Sequence, residues 1–115
     1  MRETRPVAWL KAALKDFQKF PSGAQQKIST ALTFVADGFT PTDVKPLTGL
    51  GAGIWEIVIR GRAGAFRVVY ALKLGDAIIV IHAFQKKSKT GIATPKFEID
   101  VIVERIKRLK EAAND

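Results

Sequence analysis

The order of patterns along this chain predicts an α+β domain, with helices packed on one face of a mainly antiparallel sheet. Two short helical stripes come first. Three β-rich runs joined by short glycine-containing turns follow, and one long helical stripe closes the chain. The expected order is β-α-α-β-β-β-α. At 115 residues the chain makes one domain, 1–115, with a single modest core.

"RPVAWL" (5–10) is a short apolar run that suits an edge strand, with Pro6 tolerated at its start. "KAALKDFQKF" (11–20) sets Ala13, Leu14, Phe17 and Phe20 near helical spacing, and Pro21 ends it. Ser22 and Gln25 have the spacing of a capping box. Behind them Ile28, Leu32 and Val35 form a second helical stripe that stops at Asp37-Gly38. Residues 39–53, with two Pro and three Gly, read as an ordered loop. From Ile54 the period changes. "IWEIVIR", "AFRVVYALKL" and "AIIVIHAFQK" are strand-like, joined by "GRAG" and "GD", and Gly75-Asp76 has the Gly-X form of a two-residue hairpin turn. In the last segment Thr94 suits the N-cap and Pro95 the first turn, ahead of an apolar stripe of Ile99, Ile102, Val103, Ile106 and Leu109.

Composition narrows the function. Hydrophobic residues are 47% and charged residues 26%, which is globular rather than disordered. No apolar run reaches the ~20 residues that span a bilayer, and the N-terminal residues lack the apolar stretch of a signal peptide. With no cysteine and one histidine, disulfides and thiolate sites are excluded and a His-built metal site is not expected. A reducing cytoplasm is the simplest setting. The net charge is +8, and residues 44–96 alone hold nine Lys/Arg against two Asp/Glu. Positive charge concentrated in that way captures polyanions, so nucleic acid or the ribosome is the favoured partner over a merely soluble basic surface.

The turns fix a map of the sheet. With Gly75-Asp76 as the loop, Tyr70 faces Ile81, Val69 faces His82, Arg67 faces Phe84 and Ala65 faces Lys86. Opposed residues share a face. Phe66, Val68, Tyr70, Leu72, Ile79 and Ile81 then point to the core, and a turn at 61–64 adds Trp55, Ile57 and Ile59. The open face carries three rows: Glu56–Val69–His82, Val58–Arg67–Phe84 and Arg60–Ala65–Lys86. A one-residue slip would break the map.

That open face suits a phosphate. A mid-strand guanidinium such as Arg67 can grip a phosphate through two parallel hydrogen bonds, where a lysine offers a point charge. The structural alternative is an ion pair with Glu56. His82 equally suits a half-buried packing role, and Phe84 either packing or stacking on a base. Lys86, Lys87 and Lys89 form either a solvated strand end or one edge of the same surface.

"VKPLTGLGAGIWEIVIRGRAGAFRVVY" followed by "IIVIHAFQKKSKTGIATP" resembles the phage-derived HigB-like branch of the RelE/ParE toxin superfamily. The likeness covers nearly the whole chain, from "RPVAWLKAALKDFQKFP" to the terminal helix, and the series KPLxGLG, WEI, FRVVY, HAFQKK carries the branch. It implies a RelE-like fold and the toxin half of a type II toxin–antitoxin pair. The implied activity is ribosome-dependent, metal-free cleavage of mRNA, which inhibits translation, with no cofactor. The implied partner is a small helix-turn-helix, HigA-like antitoxin. A ParE-like or degenerate member would instead act by binding a protein, either DNA gyrase or its antitoxin alone.

Residue by residue, Arg67 matches the superfamily arginine that holds the scissile phosphate. Lys86 and Lys87 fall where related toxins place catalytic groups. Lys45 stands where one relative has a glutamate base, and Glu56 where another has a lysine. The implied chemistry is attack of a 2′-hydroxyl on phosphorus, which needs a base, cations for the phosphorane and an acid. The catalytic set expected is Arg67, Lys86, Lys87, Glu56 and His82, with the base left open among Lys86, Glu56 and His82. Lys45, Arg60, Arg62, Phe84 and Lys89 are expected to contact RNA.

Overall fold

Side-chain alternation along three long strands dictates the layering, and the chain obeys it. The computed structural model describes residues 4–51, 53–62, 64–86 and 94–113. The elements are β1 (Val7–Trp9), α1 (Lys11–Phe17), α2 (Ser22–Ala36), β2 (Val44–Pro46), β3 (Ile54–Gly61), β4 (Gly64–Ala71), β5 (Ile78–Lys86) and α3 (Lys96–Ala113). They form one five-stranded sheet in the order β1-β5-β4-β3-β2. β1 pairs parallel to β5, and the other pairs are antiparallel. The α+β class and the expected order of long elements stand. The loop expected over 39–53 contains the additional edge strand β2, whose three residues pair with β3.

The first face of the sheet is the main core. Ile57, Ile59, Phe66, Val68 and Tyr70 pack there against Ile28, Leu32 and Val35 of α2 and Ala13 and Phe17 of α1. An aromatic chain ties these layers together, running from Trp9 through Phe17 and Phe20 to Phe66, with centroid spacings of 4.7, 5.9 and 4.9 Å. Each such ring is worth roughly 1.5–3 kcal/mol on full burial.

Helix ends differ from expectation in detail. Ser22 is already helical and Pro21 takes the cap position without a side-chain bond, so no capping box forms. Gln25 instead reaches back to the carbonyls of Gln18 and Phe20 and locks the α1–α2 turn. At the other end of α2, Gly38 adopts φ 93°, Phe39 N–H donates to the Phe34 carbonyl and Gly38 N–H to the Val35 carbonyl. This is a Schellman closure, and its usual hydrophobic contact is the edge-on pair of Phe34 and Phe39. In α3 the Pro95 carbonyl is the first helical acceptor, so Pro95 rather than Thr94 stands at the cap.

Three corrections concern β5 and α3. The β4–β5 connection is not a two-residue turn: residues 72–77 form a six-residue loop, gathered by Arg5. The expected register holds from Ala65↔Lys86 to Val69↔His82, then shifts, because Tyr70 pairs with Val80 and leaves Ile81 as an extra residue in a β-bulge. The bulge reverses the outer half of the strand. Ile78 and Val80 face α1 and α2, whereas Ile79 and Ile81 turn to the other side. There α3 packs: Ile102 and Ile106 sit with Val69, Ala71, Ile81 and Phe84 in a second core. The three helices are therefore divided between the two faces. Val103 of the expected stripe remains 46% exposed.

Candidate functional site

The face expected to lie open is the one that α3 closes, and it holds the buried charge. Among the described residues the buried polar or charged side chains are Glu56, Arg67, His82 and Glu98. The three rows are present as drawn, because Glu56↔Val69↔His82, Val58↔Arg67↔Phe84 and Arg60↔Ala65↔Lys86 are all register pairs.

At the β3 side, Glu56 gathers two cations. Its Oε1 lies 3.6 Å from Arg67 Nη1 and 3.6 Å from Nζ of Lys45, its partner on β2. Arg67 is 1% exposed, and its Nη1 also meets the Thr94 hydroxyl at 3.4 Å. Glu56 Oε2 is buried with no hydrogen-bond partner among the described residues. An ion pair this deep forms only in a charged surrounding that offsets desolvation, and Lys45 supplies part of it.

At the β5 side, His82 is held between two residues of α3. Its Nε2 is 2.8 Å from Glu98 Oε1 and its Nδ1 is 3.0 Å from Arg105 Nη1. The same Arg105 nitrogen donates to the Ile81 carbonyl at 2.9 Å, which satisfies the acceptor displaced by the bulge. Phe84 stacks on His82 with a 5.2 Å centroid distance. A cavity of about 340 Å³ opens beside this group, lined by His82, Phe84, Gln85 and Glu98 together with Lys19 and Phe20 of the α1 end.

The remaining expected residues are spread along one end of the sheet. Lys86 is half-buried at the end of β5, while Arg60 and Arg62 are exposed at the β3–β4 turn. Lys87 and Lys89 lie outside the described residues. Sequence reasoning missed Glu98, Arg105 and Thr94. The signal for Glu98 was available, since Glu98, Ile102 and Ile106 follow at four-residue steps and place a carboxylate on the apolar stripe of α3.

A five-stranded sheet with a parallel β1–β5 edge, two helices on one face and one on the other is the fold of RelE toxins. A double arginine mutant of the E. coli toxin RelE in the free state matches at 18% identity over 92% of this chain and 98% of that chain, with a TM-score of 0.61. The isolated E. coli RelE toxin matches at 19% identity over 91% and 98%, with a TM-score of 0.59. The intact E. coli RelBE toxin–antitoxin complex matches at 17% identity over 73% and 99%, with a TM-score of 0.54. No curated protein matches the chain in sequence. Residues 15–107 match the family described as phage-derived protein Gp49-like, and the chain belongs to that family.

Proposed function

We propose that this protein is the toxin of a type II toxin–antitoxin pair and that it cleaves mRNA on the ribosome without a metal ion. The observation that carries this reading is the register. On a RelE-type fold it sets Arg67 at the centre of one face, with Lys86 and Arg60 in the next row and Lys45 beside it. Arg67 supplies charge for the phosphorane, and Lys86 supplies a proton or a second positive contact. Arg60, Arg62 and Lys45 hold the flanking backbone, and Lys87 and Lys89 add positive charge in the sequence that follows Lys86. Arg67 is buried, so a phosphate reaches it only after its present cover moves. Such a toxin works in the cytoplasm, where translating ribosomes are, with a small helix-turn-helix, HigA-like antitoxin as its neutralising partner.

The burial of Arg67 against Glu56 favours a second reading, a non-catalytic member that acts by binding DNA gyrase or its antitoxin alone. One experiment separates them. The wild type and Arg67→Ala are induced in growing cells and mRNA 5′ ends are mapped. The nuclease reading expects growth arrest with codon-phased cuts that Arg67→Ala abolishes. Arrest without cuts favours the second reading.

A further inference from the structure

His82 has no nitrogen left for a ligand. An arginine can only donate, so the Arg105 contact requires a bare lone pair on Nδ1, and the ring proton sits on Nε2 pointing at Glu98. That N–H fixes Glu98 Oε1, and among the described residues Oε2 has no hydrogen-bond partner. Glu98 is 9% exposed and lines the cavity of about 340 Å³ beside Phe84. A buried carboxylate held by one oxygen offers its remaining lone pairs to whatever enters.

The lining selects the chemistry of the guest. Asp16 and Glu98 stand against Lys19 alone, and Lys19 already lies 3.7 Å from Asp16. Within a chain of net charge +8, this cavity therefore disfavours a phosphate and favours a group that brings N–H donors. The rings of Phe20 and Phe84 supply flat apolar walls of the kind on which RNA bases lie. Its volume, at the lower end of the roughly 300–1,000 Å³ usual for small-ligand pockets, is enough for one base. Among the four RNA bases only guanine carries two adjacent donors on its pairing edge, N1–H and the N2 amino group. Adenine and cytosine set a ring acceptor beside their amino group, and uracil flanks one N–H with two carbonyls. An acceptor-only carboxylate matches the guanine edge and opposes an acceptor on each of the others. Neither Arg67 nor Lys86 lines the cavity, so it is a separate subsite for a base rather than part of the phosphate's surroundings.

Resting on the nuclease reading, we propose that this cavity is a guanine subsite for the RNA substrate, with Glu98 as its specificity-determining residue. Glu98 accepts from N1–H and the N2 amino group, while Phe20 and Phe84 flank the ring. His82 and Arg105 are positioning residues. Arg105 donates to Nδ1 and Nε2–H donates to Oε1, and this relay holds the carboxylate in place at the cavity wall. No bond is made or broken at this site.

The full chain is titrated with 5′-GMP, AMP, CMP and UMP while the His82 and Phe84 ring signals are followed by NMR. GMP should bind about 5–150-fold tighter than the other three, the range of one bidentate base contact. 5′-IMP, which lacks the N2 amino group, should bind about tenfold weaker than GMP. Glu98→Gln keeps an amide oxygen for His82 Nε2–H but turns an amino group into the cavity. It should lose the preference for GMP while its thermal midpoint stays near that of the wild type. The comparison of GMP with IMP needs no variant, so it decides the matter even where Glu98→Gln fails to fold. In a translating extract, mapped message 5′ ends should show guanine enriched at one fixed position from the cut, and Glu98→Gln should flatten that enrichment. Equal binding of the four nucleotides, or binding of none, overturns the assignment. Arginine amide bound as tightly as GMP also overturns it, and makes the cavity a seat for a cationic side chain. Cuts without a guanine preference overturn it and leave the nuclease reading standing. GMP selected by a wild type that leaves the message whole overturns the nuclease reading and upholds the guanine site.

Discussion

Glu56 Oε1 stands 3.6 Å from Arg67 Nη1 diagonally across β3 and β4, and the two side chains are 2% and 1% exposed. Removing one partner strands the other charge in a dry site. Glu56→Ala or Arg67→Ala is therefore expected to cost about 3–5 kcal/mol in urea unfolding, whereas joint replacement by Leu and Met costs much less. Lys45→Ala, at the more exposed corner of the cluster, should cost under about 1 kcal/mol. Equal losses from the double and single variants would show that the pair is not coupled.

The tautomer of His82 is open to direct observation. Imidazole ¹⁵N NMR should show a neutral ring protonated at Nε2 alone, and Arg105→Ala should disturb it. Because Arg105 and Glu98 fasten α3 to β5 through this ring, His82→Ala is expected to speed amide exchange in α3. The cost should be about 1–3 kcal/mol, since it leaves Glu98 without its donor.

Tyr70 gives an alkaline signature. Burial at 1% exposure pushes its phenol well above the ordinary value of about 10, because the phenolate would be desolvated. The folded state binds that proton more tightly than the unfolded chain. The stabilisation is thus complete below about pH 10 and is lost as pH rises above it. As the chain has a single tyrosine, its phenolate absorbance should appear only with unfolding, and Tyr70→Phe should flatten the alkaline loss. A phenolate band that rises before unfolding would contradict this.

Arg5 holds the β4–β5 loop by its carbonyls. Its Nη2 donates to the Leu72 carbonyl at 2.6 Å and its Nε to that of Asp76 at 2.9 Å. Arg5→Lys keeps the charge but not the fork, so it should behave almost like Arg5→Ala. Each is expected to lose about 1.5–3 kcal/mol and to raise amide exchange around 72–78. A lysine variant as stable as the wild type would rule this out.

Much of the sheet was legible because alternation and the β3–β4 turn constrain register so tightly. Val69 opposite His82 and Arg67 opposite Phe84 were reached by counting from a two-residue turn that is not there, and the count holds only because the extra residue of the bulge makes up the difference. The bulge was hidden, since nothing in "AIIVIHAF" marks Ile81 as the extra residue. Two readings of four consecutive aliphatics serve a strand that is buried on both sides. The side chosen by α3 was foreshadowed but not read. Val58 and Phe84 alternate with Arg67 and His82 on the face assumed to be open, and so apolar a face demands a cover. Glu98 escaped because its role exists only once that cover is in place.

The neighbour of β5 on its outer side is β1, so Val7 rests beside Ile78 although almost the whole sheet is synthesised between them. During translation the opening strand has no ladder partner until the last strand has emerged. A chain interrupted before residue 78 carries α1 and α2 without Ile78, Val80 and Ala83 of their shared core. Closure of the sheet is thus tied to the emergence of β5.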